Sequence, residues 1–498
     1  MNKSKQEIRK VVIAGGGTAG WMVAASISKL LGKNLEITLI ESDEIGTVGV
    51  GEATIPPLLT LHQLLKINES DFMAATNATF KLGINFENWR DNGMDYFHSF
   101  GTTGKDCWAA GFQHFWLKAK ENGLRDDYGV YCPEHVSALN NKFAVMPNNG
   151  LNYAYHFDAS LYAKFLRDMS EQYGVKRIEG KISKVNKCHD SGFLTSLLLT
   201  DNSLIEGDLF VDCTGFKALL IEGALNTGYD DWSHYLPANS AIAVQTKLIG
   251  EPVPYTRSIA HENGWQWQIP LQNRVGNGIV YCNKFMSSED AESLLLNNLK
   301  GEMLTKPRHI QFTTGQRRKH WNKNCVAIGL SAGFIEPLES TSVHLIQRGI
   351  TRLLQMFPYS GIDETDINEF NQQTQNEILN IRDFIILHYN VTDRKDSEFW
   401  RHCSSMEIPT SLRHRIEQFK NSGRVFKNPN DLFSENSWIQ VMMGQGILPE
   451  NYHPIVNQMS KEELNNFMST LKNNANKLAN SLPTHNEFIS HYCKTEII

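Results

Sequence analysis

Gly15-Gly16-Gly17-Thr18-Ala19-Gly20 follows an apolar run, Val11-Val12-Ile13-Ala14, and opens a stretch from Trp21 to Leu31 with apolar residues at helical spacing. Strand, glycine turn and helix in that order fit a dinucleotide-binding fingerprint. One glycine makes the tight turn, one lets the backbone approach a pyrophosphate, and one lets the helix pack closely on the strand. The helix N-terminus then points free N–H groups and a positive dipole end at the phosphates. Gly15, Gly17, Thr18, Ala19 and Gly20 are therefore candidate cofactor contacts. A second strand, Leu35 to Ile40, ends in Glu41, where an acidic residue accepts a hydrogen bond from a ribose 2′-hydroxyl.

The chain has 498 residues, too many for one ordinary core, and its 41% hydrophobic and 20% charged residues are those of a globular protein. A net charge of −6 argues against nucleic acid or an anionic membrane as partner, since both need a basic surface. The apolar runs are shorter than a bilayer span, and Met1 to Lys10 has no apolar signal-peptide core, which predicts a cytoplasmic protein. Eight cysteines are scattered without a C-x-x-C pair, the pattern of buried thiols, with no metal site expected.

Further along, Gly46 to Pro57 holds three glycines in six positions and ends in two prolines, which predicts an ordered loop whose backbone approaches something. Leu58 to Lys66 reads as a helix entered through Pro57. Phe80 to Phe86 alternates apolar and polar residues, so by pattern alone Lys81 belongs on the solvent face of a half-buried strand. Tyr96 to Gly101 is an aromatic cluster with one imidazole, suited to stacking a flat ring or to a core edge. A helix is predicted between His156 and Tyr173, capped by Asp158 or Ser160. Strands follow at 181–187, 193–200 and 208–213, then at 240–248, 265–270 and 278–285. In Gly264 to Pro270 a period of two puts Trp265, Trp267 and Ile269 on one face and both glutamines on the other. Cys325 to Gly329 is a further strand. Glu339-Ser340-Thr341-Ser342 precedes a helical apolar stripe from Val343 to Phe357, so its hydroxyls stand at an N-cap and its N–H groups form a second anion site. Beyond residue 360 the chain turns helical and polar, with helices at 366–389, 411–421, 437–443 and 461–478. Two parts are expected: 1–360, a cofactor domain with an inserted β-rich region, and 361–498, mainly helical.

Gly15 to Trp21, Gly49-Val50-Gly51-Glu52-Ala53-Thr54-Ile55-Pro56, Tyr155-His156-Phe157-Asp158-Ala159, Gly264-Trp265-Gln266-Trp267-Gln268-Ile269-Pro270 and Pro337-Leu338-Glu339-Ser340-Thr341 together resemble the flavin-dependent tryptophan halogenases. The motifs fall in the family's order across residues 15 to 345. The resemblance implies an α/β (α+β) fold: an FAD-binding, Rossmann-like domain of the flavoprotein monooxygenase type, an inserted β-sheet region and a helical C-terminal part that completes the substrate site. It implies FAD, reduced by a separate flavin reductase, and the oxidation of chloride or bromide with O₂ to hypohalous acid. That acid passes through a tunnel to halogenate an indole or another electron-rich aromatic ring. A homodimer is left open.

The resemblance also implies roles. Lys81 matches the active-site lysine, which hydrogen-bonds hypohalous acid or carries the halogen as a haloamine. Glu339 matches the glutamate that stabilises the cationic ring intermediate and accepts its proton. Thr341 and Ser342 match the halide pair, Ser342 standing where tryptophan-specific members have glycine. Glu52, Ala53, Leu330 and Val343 join the flavin contacts. Trp265 and Trp267 line the tunnel, while Ser340, His98 and Phe100 face the substrate. The residues that grip an amino acid's ammonium and carboxylate find no match beyond residue 363, which favours indole or a larger aromatic over free tryptophan. Two rival readings stay open: an aromatic hydroxylase of the same fold, and a flavoprotein without catalysis.

Overall fold

The computed structural model describes residues 7–44, 51–146, 150–429 and 431–495. By its internal contacts the chain divides into two units, each made of three stretches: 1–78, 157–233 and 311–378 for the first, 79–156, 234–310 and 379–498 for the second.

The first unit is built on a six-stranded sheet in the order Trp321–Asn322, Cys325–Ala327, Leu209–Asp212, Lys10–Ala14, Glu36–Glu41, Lys176–Glu179. All neighbours are parallel except the first pair. Apolar residues in unbroken runs suit such strands, which are covered on both faces. Val12, Ala14, Ile40 and Phe210 point to one face, where they pack with Leu194, Leu197 and Leu199 of an antiparallel three-stranded sheet. Leu39, one residue out of phase with Ile40, faces the other way, towards the helix Gly17–Leu31. That helix packs along Ala159–Gln172, which starts where expected: the Asp158 carboxylate accepts from the N–H groups of Ser160 and Leu161.

The second unit centres on a seven-stranded sheet in the order Arg308–Gln311, Ser240–Lys247, Arg274–Tyr281, Gly264–Pro270, Thr256–His261, Gly83–Asp91, Met94–Ser99. The tryptophan block is an inner strand of this sheet, paired on both edges, and buried residues stand on both of its faces. Trp265 is 2% exposed and meets Trp267 at 6.2 Å, yet Gln266 on the opposite face is also fully buried, contrary to a polar outer face. Trp267 lies across Gly278 of the neighbouring strand, where a Cβ would stand 2.0 Å from its ring. Helices fill the remainder, including Thr410–Ser422, Glu435–Gly444 and Lys461–Ser481, the last opened by a capping box from Ser460 and Glu463. The helices Pro133–Leu139, Glu398–Ser405 and His485–Tyr492 are too short for a clear periodic signal and were not anticipated by it.

Candidate active site

In the first unit the fingerprint has the geometry its glycines were expected to serve. Gly15 has φ +100°, and a Cβ there would stand 2.3 Å from the Cys213 carbonyl oxygen. At Gly20 a Cβ would lie 2.0 Å from the Gly15 carbonyl oxygen, so helix and turn touch backbone to backbone. Gly17 has φ +72° and begins the helix, which has neither a side-chain cap nor an acidic residue in its first turn. Its leading N–H groups, Thr18 and Ala19 among them, are thus left for an anion. Glu41 stands beside the turn: a Cβ on Gly16 would collide with its Oε2. Arg177 donates to Glu41 Oε1 at 2.6 Å and Trp21 to Oε2 at 3.2 Å, which orients the carboxylate and leaves lone pairs to accept a hydroxyl. Room made by glycine, uncapped N–H groups and an oriented carboxylate fit the adenosine diphosphate portion of FAD.

Other candidates of this unit adjoin the turn. A Cβ on Gly329 would stand 2.8 Å from the Ala19 methyl, so Gly329, which precedes Leu330 in the 3₁₀ turn Gly329–Ser331, sits against the fingerprint. Glu52 and Ala53 form a short strand with Gly51 where a loop was expected; Gly46 to Val50 lie outside the described residues. Glu52 is half-buried, and desolvation pushes its carboxyl up to about 7. Gln347, on the helix Ser342–Gln355, donates to the Pro57 carbonyl at 2.8 Å and ties that helix to the end of the same segment.

The start of Ser342–Gln355 departs from a side-chain cap. Pro337–Glu339 is a 3₁₀ turn, Ser340 is left-handed at φ 59°, and Thr341 occupies the N-cap position without bonding the helix through its side chain. The Thr341 hydroxyl is buried with no hydrogen-bond partner within the protein. An orphan hydroxyl beside uncapped N–H groups, with no acidic residue in the first turn, suits a small anion. Glu339 and Ser340 are buried, as is Val343 at 2% exposure, while Ser342 is half-buried.

Lys81, His98, Phe100, Trp265 and Trp267 belong to the second unit. Lys81 is fully buried rather than solvent-facing. The expected strand is in fact two, Thr79–Lys81 and Gly83–Asp91, broken at Leu82, and both of its faces are covered. The Lys81 ammonium lies 5.1 Å from the centre of the Phe100 ring, a cation–π contact, so these two candidates come together. His98 is buried against Phe384 at 5.6 Å and Phe433 at 6.3 Å, and those two rings stack at 3.8 Å.

Two residues that the sequence reading passed over hold this segment in place. Gln440 accepts from the N–H and hydroxyl of Ser99, each at 3.0 Å, and Asn436 donates to the Gly101 carbonyl at 2.8 Å. Both stand on Glu435–Gly444, four residues apart and hence on one face. Two amides at that spacing were the available signal.

A tryptophan halogenase family model matches residues 10–461. Xcc4156, a flavin-dependent halogenase from Xanthomonas campestris, is 57% identical and superposes with a TM-score of 0.98 over 99% of this chain and 100% of that one. BrvH, a flavin-dependent halogenase from Brevundimonas sp. BAL3, is 41% identical with a TM-score of 0.93 over 97% and 99%. Tryptophan 6-halogenase SttH of Streptomyces toxytricini is 33% identical over 518 residues, 97% of this chain and 98% of the relative. The mixed α/β fold is that of the solved flavin-dependent halogenases. Among the described residues no helix is long and apolar enough to cross a membrane.

Proposed function

Because the chain belongs to the tryptophan halogenase family and is a flavin-dependent halogenase, we propose that it halogenates an indole or another electron-rich aromatic ring, using chloride or bromide. Bound reduced FAD supplies, with O₂, the oxidation of halide to hypohalous acid. The fingerprint N–H groups hold the cofactor's pyrophosphate and Glu41 its ribose. Thr341 and Ser342 hold the halide through their N–H groups at the start of the helix.

Lys81 takes up the hypohalous acid. Its ammonium donates a hydrogen bond to the oxygen, which polarises the oxygen–halogen bond towards an electrophilic halogen. As the carbon–halogen bond forms, that oxygen leaves as water with the proton from Lys81. The ring carbon's proton passes to the Glu339 carboxylate, which first offsets the positive charge on the ring. His98 and Phe100 supply flat surfaces for the aromatic substrate. The observation that carries this reading is the fully buried lysine over the Phe100 face.

The substrate is proposed to be an indole-bearing or other electron-rich molecule rather than free tryptophan. Higher identity to the two proteins described only as flavin-dependent halogenases than to the tryptophan 6-halogenase supports this. A separate reductase delivers the reduced flavin, since one dinucleotide fingerprint serves FAD and no second is evident in the sequence. The test combines the purified protein with FAD, a flavin reductase, NADH, O₂, halide and a panel of indoles and phenols, read by mass spectrometry. Halogen isotope patterns are expected. Products carrying only added oxygen, or no product across the panel, would overturn the reading.

A further inference from the structure

Tyr155-His156-Phe157 is a motif to which no role has yet been attached, and His156 is fully buried. It pairs across an antiparallel ladder with Thr79, two residues before Lys81, while Lys81 pairs with Ala154. Side chains two apart on a strand share a face, so Thr79, Lys81 and His156 stand on one face of this ladder. Around them runs a chain of hydrogen bonds whose direction can be worked out. The Thr79 hydroxyl lies 2.7 Å from the Pro270 carbonyl, which can only accept, so its single proton points there. Towards His156 Nδ1, at 3.1 Å, Thr79 can then only accept, and Nδ1 carries the ring proton. Burial, then the nearby Lys81 charge and His485, hold His156 well below its ordinary value, so the ring is neutral. Its bare Nε2 accepts from the Thr256 hydroxyl at 2.9 Å.

The outward edge of the same short strand is fixed in a second way. Phe80 N–H donates to His485 Nε2 at 3.1 Å, and Leu82 N–H to the Pro254 carbonyl at 2.8 Å. His485 Nδ1 lies 2.8 Å from the Pro252 carbonyl and must donate to it, so His485 too has one tautomer. Its lowered value of about 4, set by burial, agrees. The Phe80 ring, on the face opposite Lys81, stacks on Phe143 at 4.2 Å. Both edges of this three-residue strand and its Phe80 face are thus met by partners.

We propose that His156 and His485 are positioning residues for Lys81. As neutral, single-tautomer imidazoles they fix the strand that carries the ammonium, His156 through the Thr79 hydroxyl and His485 through the Phe80 amide, without adding a competing cation. The role rests on the reading of Lys81 given above. Thr79→Val keeps the shape but leaves His156 Nδ1–H without an acceptor, whereas Thr79→Ser keeps the hydroxyl. The expected result for Thr79→Val is halogenated product per O₂ consumed lowered about tenfold, the scale of a modest misplacement of a reacting group. FAD binding and O₂ consumption should stay at wild-type level, and Thr79→Ser should restore the ratio. A role in stability alone would lower the melting temperature and leave product per O₂ unchanged. Should Thr79→Val not fold, Thr256→Val, which removes the donor to Nε2, decides in the same way. A wild-type ratio in these variants, with the ratio lost in Lys81→Met, overturns this inference alone; a wild-type ratio in Lys81→Met as well overturns the reading beneath it.

Discussion

Lys81 is held at zero exposure, and an oriented cation out of water is what the proposed reaction needs. Alternation in Phe80 to Phe86 pointed it towards solvent, because a pattern of two reports faces and not what covers them. Only the resemblance drew attention to it. Glu339 is the second buried charge of the proposed chemistry. Glu339→Gln keeps its shape and should slow halogenation by about 10² to 10⁴-fold, the range for losing a base or charge stabiliser, without abolishing it. Single-turnover rates at saturating hypohalous acid check this; an unchanged rate would reduce Glu339 to a structural carboxylate. Ser342 was expected to stand where tryptophan-specific members have glycine, and its backbone conformation has room for a side chain. The left-handed position is Ser340, and Ser342 is not among the residues with positive φ. Ser342→Gly should therefore cost about 1 kcal/mol or less and leave halide choice unchanged. Bromide, being easier to oxidise, should be used at least as well as chloride at equal concentration. Competition between the two salts tests this, and a strong chloride preference would contradict it.

Among the elements, the opening strand–turn–helix–strand was the most legible, because two of its glycines answer to backbone contacts that any side chain would block. Gly15 against Cys213 and Gly20 against Gly15 are such contacts. Glu41 could be picked out by its position at a strand end, but its partner Arg177 lies on Lys176–Glu179, far along the chain, where sequence spacing says nothing. Glu41→Ala should weaken FAD binding by about tenfold or more, since a hydrogen bond to a charged group contributes about 1.5–3 kcal/mol. Flavin fluorescence titration measures it, and unchanged affinity would remove Glu41 from the site. The start of Ser342–Gln355 was legible as a helix end rich in hydroxyls, but not as an uncapped one. Local hydroxyl residues predict capping, and the left-handed Ser340 turns the chain before they can provide it. The Thr79–His156–Thr256 chain was not legible at all, for its members come from three separate strands.

At the scale of the whole molecule, both units bury neutral histidines. Burial lowers His62 and His320 to about 3 and His485 to about 4, against an ordinary 6.5. A base with a depressed folded value contributes stability that is complete above its unfolded value and is lost as pH falls from about 6.5 towards 3 to 4. Each such histidine should lower stability by about 1.4 kcal/mol per pH unit in that window. Glu377 extends the loss. Burial alone would raise its carboxyl, but the hydrogen bond from His344 and the Arg352 and Arg348 charges bring it down to about 2, so its contribution fades below about 4.5. Glu52 has the opposite sign, favouring the fold below its unfolded value and losing that effect as pH rises through about 7. The histidines outnumber it, so the urea midpoint should drop clearly from pH 7 to pH 5; an unchanged midpoint would mean these imidazoles are not held neutral. The central claim, halogenation through Lys81, is tested most directly by following halogenated product and O₂ consumption together in wild type and Lys81→Ala, with reductase, halide and an accepted indole. The expected result is wild-type O₂ consumption with no halogenated product in the variant. Halogenation by Lys81→Ala at a rate comparable to wild type would contradict the account.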